Sequence, residues 1–143
     1  MNLLAYVAKL LHLSQTLYRW RGLIRELDAG RRATVAHHAE QIADTLARVA
    51  VALGRLEKDP RSVRAARDTV RELGPIAGYV EDIVKALDMH LDGRKLAGVK
   101  RRLVQLGSRE PPLSAAAGAY ARRIERLVEA EGYFRALADG LRT

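Results

Sequence analysis

The chain contains no cysteine, which excludes a disulfide scaffold, a thiolate metal site and a cysteine nucleophile. The redox compartment stays open. Aromatic residues make up only 5% of the chain, and Trp20 and Tyr18 are the ones close to basic groups, so base stacking is at most a minor contribution. No apolar run approaches the roughly 20 residues that cross a bilayer. No segment holds a period-two alternation, and β-branched residues are thinly scattered, so a sheet has no pattern to form on. Without strands there is no strand-to-helix phosphate cradle, and Gly93, Gly98 and Gly107 do not make one. Neither Ser14 nor Ser62 has a base at a recognisable spacing.

What is present is abundant and apolar. Apolar residues make up 48%, which excludes disorder through low hydrophobicity. A length of 143 residues suits one compact domain, 1–143, and is short for two of ordinary size. The first thirteen residues are apolar, but Lys9 and His12 interrupt them and no small-residue cleavage site follows. A helix near the first residue fits better than a secretory signal, and a cytoplasmic location is the expectation.

Apolar spacing organises the chain. Leu3, Tyr6, Leu10, Leu13, Leu17, Trp20, Ile24 and Leu27 recur at alternating steps of three and four, one stripe of a helix. Asp28-Ala29-Gly30 stops it, with Gly30 suited to a left-handed C-terminal cap. Val35, Ala39, Ile42, Leu46, Val49, Leu53 and Leu56 mark a second helix. Asp59-Pro60 reads as the cap and first residue of a third. That third stripe runs Val63, Ala66, Val70, Leu73, Ala77, Val80, Val84, Leu87 and Leu91, with Gly74-Pro75 inside it. Proline there cannot donate to the carbonyl of Arg71, so a kink is expected. A shorter piece, about 94–106, carries Leu96, Val99, Leu103 and Leu106 on one face. After a break at Gly107–Pro112, Ser114 can cap a last helix lined by Ala117, Tyr120, Ile124, Leu127, Phe134, Ala138 and Leu141. Glu131 interrupts that stripe.

The fold class is therefore all-α. Short connections near Gly30, Asp59 and Gly93 favour antiparallel neighbours, giving an antiparallel up-down four-helix bundle. A short amphipathic helix lies between its third and fourth long helices.

The formal charge is +8 and unevenly distributed. Residues 59–92 are net acidic, whereas residues 93–112 hold six basic residues against one acidic. Arg64 and Arg71 flank Asp68, Lys85 follows Glu81 by four, and Arg135 follows Glu131 by four, so these read as a salt-bridged surface. Arg94, Lys95, Lys100, Arg101 and Arg102 have no acid at such spacing within their helix. Arg19, Arg21, Arg25, Arg31 and Arg32 bracket the first turn, with only Glu26 and Asp28 nearby. Alternating helices bring both groups to one end, an electrostatic footprint for an anion.

Other chemistries have less to rest on. His37, His38 and His90 fall near that end with Asp88, Asp92 and Glu40, but the paired Glu-x-x-His motif of di-iron bundles is missing. No metal or other cofactor is expected. The run from Val35 to Leu46, with His37 and His38, resembles the phospho-accepting helix of bundle-type phosphotransfer domains. That resemblance implies an exposed histidine with an acidic or amide neighbour. His38 sits between Val35 and Ile42 on the apolar side, and His37 points elsewhere. The first helix is apolar beyond its seam, at Leu4, Val7, Leu11 and Leu23, and the short helix sets Lys95, Lys100 and Arg102 beside its apolar face. Both features also suit a membrane surface or an oligomer interface.

The sequence thus favours a non-enzymatic helical module, homo- or hetero-oligomeric, whose basic end binds nucleic acid or an acidic protein. The alternatives are a bundle that acts at an anionic membrane and a phosphotransfer bundle using His37 or His38.

Overall fold

In the computed structural model, residues 3–87 and 120–142 are described, and every regular element among them is an α-helix. The first, α1 (Leu3–Arg19), buries Tyr6, Leu10, Leu13 and Leu17 on the expected stripe, and Val7, Leu11 and Ser14 beside it. Of the apolar surplus beyond the seam, Val7 and Leu11 are therefore packed inside the molecule, whereas Leu23 is 39% exposed. Ser14 and Thr16 are buried as well, and their hydroxyls donate to the carbonyls of Leu11 (2.6 Å) and His12 (2.9 Å). A buried hydroxyl is stable only when satisfied in this way.

The stripe is broken at Trp20, whose φ of −86° and ψ of 4° leave the helical region. Backbone bonds from Trp20 N–H to Thr16 O and from Ile24 N–H to Trp20 O carry the chain onward into α2 (Arg21–Arg25). Gly30 does not cap this first unit, contrary to expectation. The chain instead closes on Glu26 with i→i+3 bonds, and Asp28 caps α3 (Ala29–Lys58), its carboxylate accepting from Arg31 N–H at 2.9 Å. An aspartate satisfies the orphan donors of a helix start, so the Asp28 cap takes Gly30 into the first turn.

With 30 residues α3 is about 45 Å long. All seven stripe positions from Val35 to Leu56 are buried, and Ala36, Ala43 and Ala52 are buried alongside them. Burial on two faces fits a helix with packed neighbours on both sides. Asp59 is the C-cap of α3 and not the start of the next helix. Ser62 caps α4 (Val63–Leu73), accepting from Ala65 N–H at 3.2 Å, and Pro60 lies in the turn. The shift leaves Val63, expected in the core, 62% exposed.

Helix ends at Leu73 and resumes at Ile76 in α5 (Ile76–Leu87). Gly74 keeps right-handed helical angles between them, and Tyr79 N–H donates to Pro75 O at 3.2 Å. Both α4 and α5 pack against one side of α3. The last helix, α6 (Tyr120–Arg142), packs against the other side and also against α1. Its buried residues are Arg123, Leu127, Ala130, Phe134, Leu137, Ala138 and Leu141.

Cross-helix pairs fix the directions. His38 faces Asp82, Arg48 faces Glu72 and Arg55 faces Asp68, so α4 and α5 run antiparallel to α3. Glu40 meets Arg142 and Asp44 meets Arg135, so α6 is antiparallel to α3 as well. Tyr18 stands 5.5 Å from Tyr133 and Arg25 reaches Gly140, so α1 and α6 run in the same direction. Strict alternation would oppose the first and last helices, and these pairs depart from it. A direction fixed by short turns holds only as far as the turns, and residues 88–119 are long enough to recross a bundle of this length. The expected short helix at about 94–106 lies outside the described residues. Together the pairs bring the end of α2, the start of α3 and the ends of α5 and α6 to one end of the molecule.

Candidate anion-binding end

Five of the basic residues singled out in the sequence lie at that end. Each is held by a local contact. Arg19 Nη2 donates to Thr16 Oγ1 at 3.3 Å. Arg21 donates to Tyr18 O at 3.0 Å, and its guanidinium carbon lies 4.2 Å from the centre of the Tyr18 ring. Arg25 donates through Nε and Nη2 to Gly140 O, at 3.1 and 3.0 Å. Arg32 Nη1 donates to Arg25 O at 3.2 Å, and Arg31 Nε stands 3.6 Å from Asp28 Oδ2.

Three of these arginines place positive charge on carbonyls near the C-terminal ends of α1, α2 and α6, where the aligned peptide dipoles are negative. That role is structural. It also pins each guanidinium in position, and a guanidinium has five N–H donors, of which one or two are used here. Arg31 Nη1 is buried and has no hydrogen-bond partner among the described residues. The result is a set of fixed cations whose only nearby acids in sequence are Glu26 and Asp28. The other expected group, Arg94, Lys95, Lys100, Arg101 and Arg102, lies outside the described residues.

The histidines sit on the same half of α3. His37 is exposed, as expected. His38 is only part-buried, with 19% of its side chain exposed. Its Nδ1 is 3.1 Å from Gln41 Oε1, its Nε2 is 3.6 Å from Asp82 Oδ2, and its ring stacks on Tyr79. The acid and amide neighbours that phosphotransfer asks for are thus present, but between them they engage both ring nitrogens. Among the described residues no group of three or more His, Asp or Glu could hold a metal ion. On the neighbouring face Arg142 hydrogen-bonds Glu40 and, by that bond first and its charge second, holds the Glu40 carboxyl below its ordinary pKa.

Several expected ion pairs are present: Arg71 with Asp68, Lys85 with Glu81 at 3.5 Å, and Arg135 with Glu131 at 3.8 Å. Arg64 does not join Asp68, which instead meets Arg71 and, across the helices, Arg55 at 3.9 Å. Spacing within one helix gave no sign of the cross-helix pairs Arg48–Glu72 (2.8 Å), Arg135–Asp44 (3.1 Å) and Arg142–Glu40. No described helix is long and apolar enough to cross a membrane. No protein-family model matches the chain, and no curated protein or solved structure matches it at a significant level.

Proposed function

We propose that this protein is a non-enzymatic helical-bundle interaction module of the cytoplasm that binds nucleic acid through its electropositive end, as a small subunit of an oligomeric assembly. The bundle in this reading has four rods: α1 with α2, α3, α4 with α5 bent at Gly74-Pro75, and α6. The observation that carries the reading is the fixing of Arg25 on Gly140 O and of Arg32 on Arg25 O. These bonds hold the guanidiniums of α2 and α3 together beside Arg19, Arg21 and Arg31. Pre-positioned cations lose little side-chain entropy when an anion arrives.

In this reading Arg94, Lys95, Lys100, Arg101 and Arg102 contact phosphates, and the arginines of residues 19–32 extend the surface. Binding through phosphates is largely indifferent to base sequence and falls steeply with salt. The test is the double variant Arg101→Glu with Arg102→Glu, assayed against RNA, duplex DNA and anionic vesicles. Loss of nucleic-acid binding, with no vesicle binding by the wild type, is the expected result. Vesicle binding with no affinity for either nucleic acid would overturn the reading in favour of the membrane.

A second reading, phosphotransfer at His38 or His37, is favoured by one observation, the contacts of His38 with Asp82 and Gln41. It requires acid-labile phosphate on the chain after incubation with a cognate kinase. Phosphorylation that survives His37→Ala and His38→Ala together removes it.

A further inference from the structure

We infer that the far end of the bundle carries a second phosphate-binding surface, on α4, so that one molecule joins two nucleic-acid backbones. The inference rests on the nucleic-acid reading of the first end and adds a separate site to it.

Arg64, Arg67 and Arg71 follow one another at steps of three and four, in one stripe along α4, and all three are exposed. The stripe covers about 10 Å of helix, long enough for several guanidiniums to reach one phosphate backbone. The acids on this face are already engaged. Asp68 is contacted by Arg71 and Arg55, and Glu72 accepts from Arg48 at 2.8 Å. Arg64 and Arg67 make no ion pair among the described residues. Two open hollows border the stripe. One, of about 450 Å³, lies between α3 and α4 and is rimmed by Arg48, Arg55 and Arg71. The other, of about 890 Å³, is bounded by Val63, Arg64, Arg67, Asp68 and Arg71. Both leave the guanidiniums open to solvent and so to a ligand.

This surface is not an extension of the first. Arg32 and Arg55 are separated along α3 by about 35 Å at 1.5 Å per residue. On α5, between the two basic regions, stand Glu81 and Asp82, with 59% and 48% of their side chains exposed. A phosphate backbone laid along that flank would be repelled there, and two backbones, one at each end, avoid the acidic interval. Counting charge over whole segments concealed the site. The net acidity of residues 59–92 comes from Glu81, Asp82, Asp88 and Asp92 in its second half, whereas in the first Arg61, Arg64, Arg67 and Arg71 outnumber Asp59, Asp68 and Glu72 by one.

The test uses two short DNA duplexes, one carrying a donor and the other an acceptor fluorophore, mixed with the full-length protein. Energy transfer should rise with protein, fall again at excess protein as each duplex acquires its own copy, and vanish at high salt. The double variant Arg64→Glu with Arg67→Glu should lose the transfer while its affinity for a single duplex drops only a few fold. Both positions are exposed and make no ion pair among the described residues, so the far-ultraviolet circular dichroism of this variant should match the wild type. The milder pair Arg64→Ala with Arg67→Ala should lose part of the transfer. Wild-type protein that binds a duplex without transfer overturns the second site and leaves the first intact. Transfer that persists in the Glu variant assigns bridging to self-association and also overturns it. Failure of the wild type to bind any duplex overturns the underlying reading itself.

Discussion

Phe134 is the one phenylalanine of the chain, and it is fully buried on α6, the helix that packs against both α1 and α3. Phe134→Ala should cost about 3–5 kcal/mol, read as a lower urea midpoint at unchanged slope, because the cavity opens between rods that cannot close on it. Tyr6 is as deeply placed, and burial pushes its phenol up to about 12. A raised folded-state pKa leaves stability intact below the unfolded value of about 10 and removes it as pH climbs through the folded one. The wild type should therefore lose about 1 kcal/mol more than Tyr6→Phe between pH 9 and pH 11, as urea titrations at the two values would show. Most buried residues of the stripes were legible as apolar letters at helical spacing. Val63 was not, since its exposure depends on which of Asp59 and Ser62 begins the helix. Arg123 was not legible either, because a buried arginine looks like a surface one in a sequence.

At the scale of elements, two of the helix boundaries were decided by capping chemistry and not by the strongest breaker residue. Gly30 and Pro60 looked like punctuation, yet Asp28 and Ser62 hold the orphan N–H groups of α3 and α4. Asp28→Ala and Ser62→Ala should each cost about 1 kcal/mol in chemical denaturation, whereas Gly30→Ala should be neutral or mildly stabilising. A comparable loss at Gly30 would restore it as a terminator. The end of α6 depends on a residue far away in sequence. Arg25→Ala should speed amide exchange over the last turn of α6 and leave the centre of α3 protected, because it removes the guanidinium from Gly140 O. No local pattern could have revealed that bond, which joins residues 115 apart.

For the whole molecule, periodicity fixed the class and short turns fixed the directions of α1, α3 and α4–α5. The direction of α6 was not legible, because its connection to α5 is long and a hydrophobic stripe reads the same either way up. Charge behaved similarly. The arginines of residues 19–32 were visible as a cluster, but the attachment of Arg25 to Gly140 O appears only once α2 and α6 end side by side. The most direct measurement of the central claim is the affinity of the wild-type protein for a short duplex across salt from about 50 to 200 mM. Binding through several phosphates predicts a linear, steep fall of log affinity with log salt, the same for unrelated base sequences. A flat salt dependence, or no binding at the lowest salt, contradicts the account.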